Sequence, residues 1–154
     1  LTGLHIRAFF EEALARLSES QICPVGVIIA DVDQVKRYND QMGHAGGDEV
    51  LRQVARLIKD AFRAEDVVAR LGGDEFAVLL PESTDATTSA AVARMRERLA
   101  EHNHQNERVQ IQLSIGFATA EKGFPILDAL READARMYRE KALHGLDSLH
   151  DTKA

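Results

Sequence analysis

Arg70-Leu71-Gly72-Gly73-Asp74-Glu75-Phe76-Ala77-Val78-Leu79-Leu80 is the stretch on which the reading of this chain turns. Residues 67–71 are rich in β-branched and apolar types, and 76–80 are apolar throughout. Two glycines between such runs predict a tight hairpin, because its turn positions need positive φ. A hairpin alone does not require Asp74-Glu75. Adjacent carboxylates at a turn repel each other, and neither residue favours a strand. Bare water or a divalent cation makes the pair tolerable, so a solvated hairpin tip and a metal site are both open at this point.

Upstream, Val25-Gly26-Val27-Ile28-Ile29-Ala30 is a continuous apolar run, as expected of a central strand buried on both faces. It delivers Asp31-Val32-Asp33 to its carboxyl end, the edge at which open α/β sheets usually bind ligands. If this strand neighbours the hairpin, Asp31 and Asp74 converge. Carboxylates from two adjacent strand ends suit Mg²⁺, which prefers carboxylates, water and phosphate oxygens. Such ions can activate a hydroxyl and stabilise in-line displacement at phosphorus. Asp31 and Asp74, joined by Glu75 or the Val32 carbonyl, are the candidate ligands. Asp33 is the weaker partner for Asp31 and could equally cap a helix.

The remaining elements read as follows. Residues 6–17 carry a helical apolar stripe, and 33–42 form a short polar helix stopped near Gly43. Gly46-Gly47-Asp48 opens a longer helix with Val50, Leu51, Val54, Leu57, Ile58, Ala61 and Phe62 inward. After Pro81, Thr84 or Asp85 caps a helix to about His102, with Val92, Met95 and Leu99 inward. Residues 102–107 read as a polar loop, and Val109, Ile111, Leu113, Ile115 and Phe117 alternate with Gln110, Gln112, Ser114 and Gly116 as a half-buried strand. The last helix spans about 125–143, apolar at Leu127, Leu130, Met137 and Tyr138. The tail, 145–154, leaves room for a short final strand. The fold class is α/β (α+β): a central mixed sheet with helices on its faces and a hairpin carrying the glycine turn.

At 154 residues the chain reads as one domain, 1–154, long enough for a proper core. A formal net charge of −6 argues against a nucleic-acid-coating surface. The single cysteine, Cys23, can form no internal disulfide, which points to a reducing, cytoplasmic setting. No apolar run approaches the ~20 residues of a membrane span, so no membrane contact is expected of this domain. Because the chain starts at Leu1, it reads as a piece of a longer protein, which could itself be membrane-anchored. There is no Walker-type glycine loop, no dinucleotide fingerprint and no nucleophile elbow. His102-Asn103-His104 has no further zinc-type spacing around it and reads as solvated.

Gly72-Gly73-Asp74-Glu75-Phe76 resembles the signature of the GGDEF family of diguanylate cyclases, enzymes similar in fold to the palm of polymerases and adenylyl cyclases. Leu1-Thr2-Gly3-Leu4, the Asp31–Asp40 segment, Gly43-His44-Ala45-Gly46-Gly47-Asp48 and the Ala133-Asp134 to Lys141 helix resemble its other motifs, so the likeness covers essentially the whole chain.

The resemblance implies condensation of two GTP into cyclic di-GMP and two pyrophosphates, with Mg²⁺ or Mn²⁺ as cofactor. It implies that Asp31, Asp74 and the Val32 carbonyl bind metal, and that Asp74 or Glu75 helps deprotonate the attacking 3′-hydroxyl. Asn39 and Asp48 match guanine readers, with His44 nearby. Lys36 and Lys141 match triphosphate contacts, beside the Gly72-Gly73 turn. Arg63 and Asp66 form the R-x-x-D of an inhibitory product site, to which Arg94 is a further candidate. One domain carries one guanine-reading set and one metal set, so a homodimer is needed for catalysis. Gly145 stands where many relatives carry a phosphate-touching arginine, which favours the alternative of a silent cyclic di-GMP receptor.

Overall fold

The computed structural model describes residues 1–151, with side chains as far as residue 147. Five strands form one open sheet in the order β1-β3-β4-β2-β5: β1 (His5–Ile6), β2 (Val25–Val32), β3 (Val67–Gly72), β4 (Glu75–Leu80) and β5 (Leu113–Ala120). The helices are α1 (Arg7–Glu19), α2 (Val35–Met42), α3 (His44–Ala61), α4 (Asp85–Gln105) and α5 (Ile126–Asp151). β1 runs parallel to β3, and the other neighbours are antiparallel, so the expected mixed sheet is what forms.

Strand parity divides the core. Ile28, Ala30 and Val32 of β2, with Phe76, Val78 and Leu80 of β4, pack under α3 and α4. Val25, Val27 and Ile29, with Ala77 and Leu79, pack under α1 and α5. Asp31 and Asp33 continue the second set past the apolar run, which turns both toward the face that α5 covers.

β5 lies at the sheet edge, where unpaired backbone groups invite pairing with another chain. Here α5 satisfies them: Glu140 accepts from the Ile115 N–H at 2.6 Å, and Arg136 donates to the Phe117 carbonyl at 2.7 Å. Arg96 of α4 grips the same Glu140 with both guanidinium ends, at 2.9 and 3.1 Å. One carboxylate therefore ties two helices to an edge strand.

Several boundaries differ from the sequence reading. β1 was not anticipated, because two exposed residues carry no periodicity. α3 starts at His44, ahead of the glycines; a Cβ on Gly46 or Gly47 would strike Met42 or Asn39, so these glycines let α2 and α3 approach. The expected loop over 102–107 is helical to Gln105, because the Asn103 amide sits in the helix and clamps Ile111 through both its N–H and its carbonyl. That clamp holds Ile111 against α4, and the strand begins instead at Leu113, with one further bond from the Asp33 N–H to the Gln112 carbonyl at 2.9 Å. Ser114 and Gly116, expected to face water, are buried beneath α5. On α5 the inward residues are Ile126, Ala129, Ala133 and Met137, whereas Leu127 and Tyr138 are exposed. The tail forms no final strand among the described residues: α5 runs through Gly145 to Asp151, and residues 152–154 lie outside them. His144, bonded to Ser114 of β5 and to Asp33 just past β2, pins the turn that the glycine would otherwise loosen.

Gly116 is the point of closest approach between sheet and helix, since a Cβ there would run into the α5 backbone at Ala133 and Met137. Gly116→Ala is expected to cost about 1–3 kcal/mol, as forced overpacking usually does. Urea denaturation checks this, and an unchanged midpoint would contradict the packing.

Candidate active site

The hairpin turn is built by its backbone. Gly72 and Gly73 have φ of +147° and +50°, a conformation that side chains resist. Two arginines brace it. Arg70 donates to the Gly73 carbonyl from Nε and Nη2 at 2.9 and 2.6 Å, and Arg7 donates from Nε to the Leu71 carbonyl at 3.0 Å. Neither was singled out from sequence, because each acts on backbone.

β2 and β4 pair with Asp31 opposite Glu75. One step further, the Val32 N–H donates to the Asp74 carbonyl at 2.9 Å, drawing the turn onto the end of β2. Asp31 and Asp74 thus meet, as the sequence led one to expect. From α5, Lys141 Nζ donates to Asp31 Oδ1 at 2.8 Å. Burial pushes the Asp31 carboxyl above its ordinary value, against the pull of the Lys141 hydrogen bond, and the charges of Asp74 and Asp33 add to the rise. Burial likewise raises Glu75, with Asp134 the next largest cause and Asp31 after it. In the sequence Asp134 is only part of a helix motif; packing α5 on the sheet brings its charge to bear on Glu75. Burial pulls the Lys141 ammonium down, but its bond to Asp31 and the surrounding carboxylates hold it above 10.5.

Asp33 does not cap α2. The residue preceding that helix is Gln34, in a left-handed conformation, with no side-chain cap. The buried Asp33 carboxylate instead accepts from Ser114 Oγ at 2.7 Å and from His144 Nδ1 at 2.6 Å. His144 and Ser114 had no signal in sequence, since their meeting depends on the β2–β5 register, which sets Ser114 beside Asp31.

Asn39 lies over the first turn of α3, where the missing side chain of Gly47 makes room for its amide. Asp48 follows on that turn, half-buried, and His44 is exposed at the helix start. Lys36 is exposed on α2 and lines a cavity of about 1270 Å³ shared with Asp33, Asp40, Arg108, His144 and Asp147. Asp31 and Asp74 lie outside that cavity's lining.

A second cluster sits at the other end of β3. The Asp66 side chain is only 2% exposed, and Oδ2 accepts from the Arg63 N–H at 2.9 Å. The Arg63 guanidinium reaches Ser83 Oγ at 3.3 Å, and Arg94 donates to the Ala61 carbonyl at 3.3 Å. Asp66 Oδ1 is buried with no hydrogen-bond partner. Burial raises the Asp66 carboxyl, opposed by the Arg63 N–H and by the charges of Arg63 and Arg94. Arg63, Asp66 and Arg94 are therefore brought together, separated from the Asp31 end by the length of β3, about 17–20 Å.

The family model described as diguanylate cyclase, GGDEF domain, matches residues 1–145. This chain belongs to the GGDEF family. Response regulator PleD of Caulobacter vibrioides is 36% identical over 154 residues, covering 92% of this chain and 33% of that protein. The uncharacterized protein Rv1354c of Mycobacterium tuberculosis is 40% identical over 139 residues, covering 87% of this chain and 22% of that one. The chain thus spans about a fifth to a third of the length of these relatives. Among solved structures, the GGDEF domain of DgcB from Caulobacter crescentus, in complex with c-di-GMP, superposes with a TM-score of 0.79 at 27% identity, covering 92% of this chain and 87% of that one. No helix among the described residues is long and apolar enough to cross a membrane.

Asp66 gives a pH test. Its folded value is raised above the ordinary 3.8, so its ionised form is disfavoured in the folded state. No penalty exists below about pH 3.8, where both states hold the proton; it grows as pH rises through the folded value and is complete at neutrality. Asp66→Asn keeps the acceptor for Arg63 and should raise Tm at pH 7. The gap should close below about pH 4 in thermal denaturation. A variant less stable than wild type at pH 7 would contradict the electrostatic account.

Proposed function

We propose that this chain is a diguanylate cyclase domain, condensing two GTP into cyclic di-GMP and two pyrophosphates with Mg²⁺ or Mn²⁺. The observation that carries the reading is the meeting of Asp31 and Asp74 at the ends of neighbouring strands, with more carboxylate than cation around them. Among the described residues no three His, Cys, Asp or Glu side chains form a complete cage for an ion. Two carboxylates completed by water and phosphate oxygens are the ordinary Mg²⁺ arrangement, so the residues present fit such an ion. Asp31, Asp74 and the Val32 carbonyl would hold it, and once bound it supplies Lewis-acid stabilisation of charge at phosphorus.

The chain's own groups take the other roles. Glu75, its carboxyl held above the usual range, is suited to receive the proton of the attacking 3′-hydroxyl, a part Asp74 could share. Asn39 and Asp48 read guanine, whose N1–H and exocyclic amine are both donors that suit a carboxylate. Neither side chain has a hydrogen-bond partner among the described residues, so both are available. Lys36 and Lys141 meet the triphosphate, and the bare Gly72-Gly73 turn lets phosphate approach the backbone. His44 stands at the guanine side.

Each chain offers one such set, so two chains must face each other about a two-fold axis for both bonds to form. Arg63, Asp66 and Arg94 bind the product as an inhibitor, the guanidinium supplying paired donors to guanine. A second reading, a silent receptor for cyclic di-GMP, is favoured by the assembly of that cluster away from the carboxylate pair.

Incubation with GTP and Mg²⁺ should yield cyclic di-GMP, and Asp74→Asn should lower the rate by about three orders of magnitude, each tenfold step being about 1.4 kcal/mol. Product binding without any product formation would leave the receptor reading in place. Arg63→Ala should weaken cyclic di-GMP binding at least about tenfold by calorimetry and lift the late slowing of progress curves. Equal product affinity in the two proteins would remove Arg63 from the inhibitory site.

A further inference from the structure

We propose that Lys141 is a stand-in cation for Asp31, so that metal enters this site together with nucleotide rather than before it. The inference rests on the reading of Asp31 as a metal ligand. Lys141 Nζ is 2.8 Å from Asp31 Oδ1, hydrogen-bonded to an oxygen that an arriving ion would need. The Asp31 side chain is 8% exposed and that of Lys141 is 41% exposed. The carboxylate is fixed in the wall, whereas the ammonium can leave it for solvent or for another anion.

The surroundings hold Lys141 at this post. On α5 it lies between Glu140, bonded to the Ile115 N–H and Arg96, and His144, bonded to Asp33 and Ser114. The helix turn is thereby pinned on both sides of Lys141, leaving only its four-carbon stem to move. The carboxylates around Asp31 are Asp74, Asp33 and the facing Glu75, and Asp33 is already committed to Ser114 and His144.

An ion entering the nucleotide-free chain would therefore meet Asp31 already hydrogen-bonded to an ammonium, with Asp74 and the raised carboxyl of Glu75 beside it. Like charges that close repel strongly where water is partly excluded. A triphosphate changes both terms. Its oxygens complete the ion's coordination, and they accept the ammonium's donors, drawing Lys141 off Asp31. Each ligand thus raises the affinity for the other, and linkage requires the effect to be reciprocal.

Mn²⁺ binding, read by electron paramagnetic resonance of the free ion, tests this without turnover. Wild type, Lys141→Met, Lys141→Arg, Asp31→Asn and the Lys141→Met/Asp31→Asn pair are titrated with and without a GTP analogue carrying a methylene between its α and β phosphorus atoms. Without nucleotide, Lys141→Met should bind Mn²⁺ about tenfold tighter than wild type, within the usual range of coupling. Lys141→Arg should stay near wild type, and adding Asp31→Asn should abolish the gain. The analogue should sharpen Mn²⁺ binding more in wild type than in Lys141→Met. Equal nucleotide-free affinity in wild type and Lys141→Met, or a gain that survives Asp31→Asn, would overturn the proposal while leaving Asp31 a ligand if Asp31→Asn alone weakens Mn²⁺ binding in the analogue complex. If Asp31→Asn leaves that binding unchanged, the metal-ligand reading and the proposal fall together. Thermal unfolding of each variant shows that the folded protein is being compared.

Discussion

The antiparallel register of β2 against β4 is the constraint on which the site depends. It sets Asp31 opposite Glu75 and lets the Val32 N–H hold the Asp74 carbonyl, so carboxylates are gathered where their charges oppose one another. In that gathering, burial and like charge push Asp31 and Glu75 upward, and Lys141 beside Asp31 and Arg7 near Glu75 offset only part of the cost. What holds it is the sheet, packed on both faces by apolar cores drawn from alternate residues of the same strands. The packing of Val27, Ile28, Ile29 and their partners thus offsets the unfavourable charge gathered at the strand ends.

The same division explains which helix serves which purpose. Strand parity sends Asp31 and Asp33 to the α5 face, and α5 answers each differently. Lys141 meets Asp31 through a mobile stem, whereas His144 and Ser114 bury Asp33 in a closed set of hydrogen bonds. Two aspartates two positions apart thus become one carboxylate held by a lysine and one strut. The strut fixes α5 at its Lys141 turn, and Glu140 fixes it again on the β5 edge.

Much of this is legible in the sequence alone. Continuous apolar runs announced β2 and β4, two glycines announced the turn, and adjacency of those strands was enough to bring Asp31 to Asp74. The features that escaped share a cause: they depend on contacts between distant segments rather than on local pattern. β1 is two residues long and exists only because β3 accepts it. Ahead of β5, Ile111 is held by the Asn103 clamp, which no alternation of apolar residues in 109–117 could reveal. Ser114 and Gly116 read as outward positions because the strand's second covering, α5, comes later in the chain. Arg7 and Arg70 brace the turn through carbonyls, a use that leaves no partner residue to notice.

On the proposed reading, the guanine-reading set and the carboxylate pair of one chain make half of a reaction centre, and a second copy supplies the other half. The most direct measurement is cyclic di-GMP formed per chain from GTP and Mg²⁺ across a hundredfold range of protein concentration, with sedimentation run alongside. The account predicts a rate per chain that climbs with concentration while the protein sediments mainly as monomer. A rate per chain that stays flat over that range, in a protein that sediments as monomer throughout, would contradict it.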